Sequence, residues 1–283
     1  MPTSAVRTRG RGPVRRTSPS PSHAPRLSGA RILEAITLAL PGALTVYFAF
    51  NAGGFFVGAP ALGALVTGIL LLLRVTTVER PFAGLGRLYA VTVGAFGLYA
   101  VWILVSAQWS DAAGRAQVEF DRALFYTLLV DLFGLMPRSV ANLRWVLRGA
   151  TAGLVILAGA GFVSRALPHV LTVNQSFVSN RLSYPTTYWN ATGICAGLAA
   201  LMCFVLMTDR AEPAWSRVVA SAAFPLACAG LLLTYSRGAI GATIIGFVVY
   251  IFIARPWALF RGLAAALPAG AIAVVFTYRA DAL

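Results

Sequence analysis

A chain of 283 residues that is 58% hydrophobic and only 11% charged cannot stay compact in water as a monomer, since soluble domains carry about 25% charged residues. Its 23 basic residues, all arginine, stand against 9 acidic ones and fall between apolar runs, not on one patch. That pattern points to membrane topology and anionic lipid and excludes a recognisable nucleic-acid module.

Residues 1–31 hold seven arginines, no acid and many Pro and Ser, without apolar periodicity. This composition predicts a disordered basic cytoplasmic tail. Arg15-Arg16 ahead of an apolar run has the look of an export signal, but no small-residue cleavage site follows and further spans come directly after.

Residues 32–283 read as a transmembrane helical domain. A span needs about 20 predominantly apolar residues. Candidates follow in order at Ile32–Phe50, Phe55–Leu73, Leu88–Ser106, Ala123–Met136, Val146–Val163, Tyr188–Met207, Val218–Tyr235, Ala239–Ala254 and Leu259–Phe276. The expected fold class is all-α, a polytopic integral membrane helical bundle with about nine transmembrane helices. The fourth candidate is short and carries Asp131. An acid inside a span reads as a functional group, as the partner of an arginine near the inner face, or as the sign of a shifted boundary. Cys195, Cys203 and Cys228 lie inside apolar runs without CxxC spacing and read as small apolar residues, not as metal ligands.

With the basic tail inside, 17 arginines fall on inner segments and six on outer ones: Arg115, Arg122, Arg165, Arg181, Arg237 and Arg279. The positive-inside rule supports this orientation. The expected location is the cell membrane, multi-pass, with the N-terminus cytoplasmic and the C-terminus extracytoplasmic. Two outer loops are expected, near residues 108–122 and 164–187.

The outer arginines carry the most information, because topology disfavours them there. Arg181 opens the stretch Arg-Leu-Ser-Tyr-Pro-Thr-Thr-Tyr-Trp-Asn190, in which Tyr188 and Asn190 crowd the start of the sixth span. Helix starts bind anions through free N–H groups, and an arginine beside one makes a reasonable phosphate site. The same residues also fit an interfacial anchor with a snorkelling arginine. Arg237 sits in Leu-Thr-Tyr-Ser-Arg-Gly238, where a tight turn holding Tyr235 and Ser236 joins the seventh and eighth spans. That turn pins Arg237 at the outer membrane boundary. His169 is the one histidine on the outer side, and Asp111, Glu119 and Asp121 of the first outer loop read as solvated charges.

These two stretches, with Gln108-Trp-Ser-Asp and Arg122-Ala-Leu-Phe-Tyr126, make the chain similar to the O-antigen ligase family, which includes O-antigen polymerases and related protein glycosyl ligases. The likeness covers roughly residues 100–255. It implies an inverting glycosyltransferase without a metal or other cofactor. The donor would be a glycan on a polyprenyl-diphosphate carrier at the outer face, and the acceptor another glycan or a lipid. Arg181 and Arg237 match the family's diphosphate-binding arginines, with Tyr188, Asn190, Tyr235 and Ser236 in support. The family's catalytic histidine comes from a large outer loop that would begin where this chain stops at Leu283. No residue here matches it, so the resemblance assigns no catalytic base and the chain reads as short at its C-terminus. Two other readings stand beside this one: a transporter or flippase for a lipid-linked or anionic substrate, and an inactive membrane fragment or assembly partner.

Overall fold

A computed structural model of the chain describes residues 29–82, 85–171 and 181–254, and, further on, 264, 268–273 and 275. Among these residues the fold is all helix. The order is α1 (Gly29–Phe50), a 3-10 turn at Ala52–Gly54, α2 (Gly58–Thr77), α3 (Arg87–Ser106), α4 (Ala113–Gly134), α5 (Val140–Ala166), α6 (Trp189–Thr208), α7 (Ala214–Leu233) and α8 (Arg237–Ala254). All but α4 are long and apolar enough to cross a membrane. The chain is thus an all-α polytopic membrane bundle. The basic N-terminal segment lies outside the described residues. So does most of the expected ninth span, of which residues 268–273 are helical.

Helix boundaries differ from expectation at α4 and α5. Helix α4 starts at Ala113, so most of the expected loop at 108–122 is helical. Its first half carries Arg115, Glu119, Asp121 and Arg122, which no apolar window detects. Helix α5 begins at Val140 because Ser139 caps it, its hydroxyl accepting from the Asn142 amide at 3.0 Å. It runs on to Ala166, which shortens the second expected loop.

Successive helices run antiparallel. The end where α1 starts is called here the proximal face, and the opposite end the distal face. On the proximal face the Glu34 carboxylate accepts from the Asn142 side-chain Nδ2 at 2.7 Å, joining the starts of α1 and α5. The Arg74 guanidinium, at the end of α2, donates twice to the Leu135 carbonyl, at 2.6 and 3.1 Å. Arg74 is buried, and it satisfies a free carbonyl at the C-terminus of α4, where a cation also suits the helix dipole. Asp131 takes the Tyr89 hydroxyl at 3.0 Å. It therefore lies near the proximal ends of α3 and α4, not at mid-membrane, and its partner is a phenol, not an arginine.

Helix α6 packs against α5, α7 and α8, while α5 joins this group to α1; α2, α4 and α3 follow in turn. Phe204 is the aromatic centre of the first group, 5.2 Å from Phe247 and 5.9 Å from Tyr250, each edge to face. Leu33, Leu40, Leu70 and Leu132 form the core of the second. Buried threonines return their hydroxyls to the carbonyl one turn earlier, as Thr37 does to Leu33 at 2.8 Å and Thr67 to Gly63 at 2.7 Å. This removes the cost of a bare hydroxyl among apolar neighbours.

The two groups meet through glycine. A Cβ on Gly42 would collide with the Gly149 carbonyl, and one on Gly153 would stand 2.6 Å from the Gly42 carbonyl oxygen. Backbone meets backbone here, so no side chain can yield. Gly153→Leu is expected to force α1 from α5 and destabilise the bundle by about 1–3 kcal/mol or more. Gly94→Ala, on open surface of α3, is the control and should melt as the parent does or slightly higher. Thermal unfolding of the purified chain in detergent measures both.

Candidate functional site

The distal face gathers the described connecting residues 51–57, 107–112, 167–171, 181–188 and 234–236. The segment from Arg181 to Tyr188 is irregular yet partly buried, so its backbone groups must find partners inside the protein. They do. The Leu182 amide donates to the Leu233 carbonyl, the last residue of α7, at 2.9 Å. The Thr192 hydroxyl donates to the Ser183 carbonyl at 2.9 Å. The buried Thr186 hydroxyl lies within reach of the Tyr188 carbonyl at 3.0 Å and the Thr192 hydroxyl at 2.7 Å. The Tyr184-Pro185 peptide is cis, and Thr187 takes a left-handed φ of 67°. The side chain of Leu182 fills the space above Gly161, where a Cβ would approach it at 3.2 Å.

The turn from α7 to α8 is equally determined. Tyr235 sits just past α7 with φ of 49°, the left-handed position that often ends a helix. Ser236 then caps α8: its hydroxyl accepts from the Ala239 amide at 3.3 Å and its carbonyl from Ile240 at 3.0 Å. Gly193 of α6 lies beneath this turn. A Cβ there would meet the Thr234 hydroxyl at 2.8 Å and the Ser236 Cβ at 3.1 Å.

A hydrogen-bonded relay connects the two stretches. The Ser236 hydroxyl donates to Asn190 Oδ1 at 2.8 Å. Asn190 Nδ2 donates to the Tyr188 hydroxyl at 2.6 Å. Three of the six expected site residues, Tyr188, Asn190 and Ser236, are thus in direct contact, across 46 residues of sequence in the case of Asn190 and Ser236. Arg181 lies with its guanidinium 5.4 Å from the Trp189 ring centroid, a cation–π contact at the first residue of α6. Arg237 is the first residue of α8. Both arginines are exposed, and neither has an acidic partner among the described residues. Tyr235 is also exposed, and its hydroxyl makes no hydrogen bond among the described residues.

This electrostatic arrangement is unusual. Arg237 is at the start of α8 and the Arg181 guanidinium lies beside the first residue of α6, where the dipole already places positive charge, so the local field is unfavourable to a cation and favourable to an anion. Tyr188 supplies no side-chain cap to α6, which leaves first-turn N–H groups available. An oxyanion at the start of either helix would meet a guanidinium fork there.

Beside the relay lies a cleft of about 810 Å³, lined by Gly53, Tyr99, Arg122, Tyr126, Thr187 and Tyr188 among others. Arg122 differs from the other two arginines. It donates to Glu119 at 2.6 Å and to the Phe55 carbonyl at 2.8 Å, so its charge is matched and its position fixed. Sequence alone gave Arg122 no place in the site; its pairing with Glu119 one turn earlier on a helix was the available signal. His169 is exposed in the connection after α5. No cluster of three or more His, Cys, Asp or Glu suited to a metal occurs among the described residues.

The relay predicts a local effect of Ser236→Ala. It removes the α8 cap and the bond to Asn190, and a lost cap costs about 0.5–2 kcal/mol. Amides at Arg237 to Ile240 should exchange faster with deuterium, while those in the middle of α7 keep their protection; Ser236→Thr should restore the parent pattern.

No family model, curated protein or solved structure matches this chain.

Proposed function

We propose that the chain is a membrane glycosyltransferase of the O-antigen ligase type, transferring or polymerising a glycan from a polyprenyl-diphosphate carrier at the distal face. One observation carries the reading. Arg181 and Arg237, the two arginines that the resemblance assigns to the diphosphate, lie on stretches bonded to one another, Arg181 against the first residue of α6 and Arg237 as the first residue of α8, two helices that pack together, and both lack an acidic partner among the described residues. Their charge suits a dianionic group presented at the membrane surface.

In this reading the bond between the sugar and the diphosphate breaks as the acceptor hydroxyl attacks the sugar from the opposite side. Negative charge gathers on the departing diphosphate. Guanidinium forks that bind that group would stabilise it more in the transition state than in the ground state, and this difference would accelerate the step. The relay from Tyr188 through Asn190 to Ser236 keeps the starts of α6 and α8 at a fixed spacing, so the arginines need not reorganise as charge develops. The proximal face is the cytoplasmic one in this proposal. Among the described residues it carries Arg31, Arg74, Arg80, Arg87, Arg138, Arg144, Arg148, Arg210 and Arg217, against five arginines at the distal face. The competing transporter reading needs polar groups at mid-membrane. Asp131, an acid inside an expected span, is bound to Tyr89 near the proximal ends of α3 and α4.

Arg181→Ala and Arg237→Ala should each lower transfer from a polyprenyl-diphosphate glycan about 100-fold or more, the scale for loss of one preorganised donor to a developing anion. Lysine at either position should recover only part of the rate, because it offers a point charge in place of a fork. The readout is build-up of unconsumed lipid-linked glycan in membranes carrying each variant. Unchanged turnover in both alanine variants would overturn the diphosphate site.

A further inference from the structure

The proximal half of the bundle contains a second cavity, of about 680 Å³, between α1, α5, α6 and α7. Helices α1 and α7 both pack on α5 and leave a trench between them. Its floor is closed by Thr151, Cys203, Leu206 and Ala220, all buried. Its rim is open to the side of the bundle: Trp145, Ile156, Trp215 and Val219 line it and are each more than half exposed. The walls carry Ala39 and Ala152, so no side chain fills the space from either side. Along α5 the trench runs from Trp145 to Ile156, about 16 Å at 1.5 Å per residue. Half of a hydrocarbon core of about 30 Å is about 15 Å. The trench therefore spans the depth of one leaflet.

Its proximal end is charged. The Arg148 guanidinium lies 4.9 Å from the Trp145 ring centroid and 5.6 Å from that of Trp215, and donates to Glu212 at 2.8 Å. Arg144, one turn earlier on the same face of α5, is only loosely paired, at 3.8 Å from Glu212 and 3.9 Å from Asp209. These distances exceed hydrogen-bond range, so its donors remain available. Arg210 follows in the turn between α6 and α7, with no acidic partner among the described residues. The segments 138–148 and 209–217, which lead into the walls of the trench, carry Arg138, Arg144, Arg148, Arg210 and Arg217 against Asp209 and Glu212.

We propose that this trench binds one acyl chain of an anionic glycerophospholipid from the proximal leaflet, with the headgroup phosphate at Arg144. The length, the apolar walls and the sideways opening select a lipid chain; the excess of arginine at the leaflet boundary selects an anionic headgroup over a zwitterionic one. The inference is independent of the distal site.

The test is competition between phosphatidylglycerol and phosphatidylcholine for the purified full-length chain in detergent, read by native mass spectrometry. One phosphatidylglycerol should be retained in preference. Ala152→Trp and Ala39→Trp, each filling the trench from an exposed position on a different wall, should both lose it while still melting cooperatively. Arg144→Gln should keep a bound lipid but reduce the preference for the anionic one about fivefold. Equal retention of the two lipids by the parent chain overturns the proposal, and so does retention of phosphatidylglycerol by both folded tryptophan variants.

Discussion

Helix α6 reaches three other helices because the sides it turns to them carry little side chain. Gly193 lies under the α7–α8 turn, Ala196 meets Ala158 and Ala239, and Gly197 faces Thr243 so closely that a Cβ would collide with its hydroxyl. Ala199, Ala200 and Cys203 are fully buried. In a bilayer no hydrophobic effect drives apolar helices together, so close approach and dispersion must do it. The small face of α6 therefore sets where α5, α7 and α8 stand. Everything at the distal face that depends on the spacing of α6 and α8, the Asn190–Ser236 bond first, rests on that packing.

A second constraint acts where the chain leaves helix. A backbone carbonyl or amide at membrane depth has no water to bond, so irregular structure survives only inside protein. The 181–188 segment meets this condition with Leu182 on the end of α7 and with Thr186 and Thr192 beneath Ser183. The same bonds fix its course. A segment that must satisfy its own backbone in this way cannot wander, and the aromatic and guanidinium groups attached to it inherit that order. Arg74 on the Leu135 carbonyl shows the same economy at the proximal face, where a charged side chain closes a helix end.

Apolar run length made the spans legible in the sequence, because bilayer thickness imposes it directly. The beginnings of α4 and α5 were not legible that way. Glu119 and Arg122 pair with each other on α4, and Ser139 caps α5, and neither effect registers in hydropathy. Arg181 and Arg237 stood out because they violate the charge rule that explains most of the other arginines. Their shared neighbourhood, and the relay through Asn190 and Ser236, depend on how α6 and α8 pack, which no spacing between residues 181 and 237 encodes. The pairing of Asp131 with Tyr89 was hidden for the same reason: the two lie 42 residues apart, on neighbouring helices.

The two ends of α6 differ in how their arginines are paired. Helix α6 has 20 residues, about 30 Å at 1.5 Å per residue, so its ends stand roughly one hydrocarbon core apart. At the proximal end, beyond its C-terminus, Asp209 and Glu212 answer Arg144 and Arg148. At the distal end Arg181 and Arg237 have no such answer among the described residues, though Glu119 shows that an acid on this face can be placed against an arginine. A cation at a helix start is unfavourable by about 0.3–1 kcal/mol in the absence of a counter-charge. Two such positions lie on stretches joined by the Asn190–Ser236 hydrogen bond. In the proposed reading an anion with several oxygens at these helix starts would offset that cost, a demand that an interfacial anchor does not make.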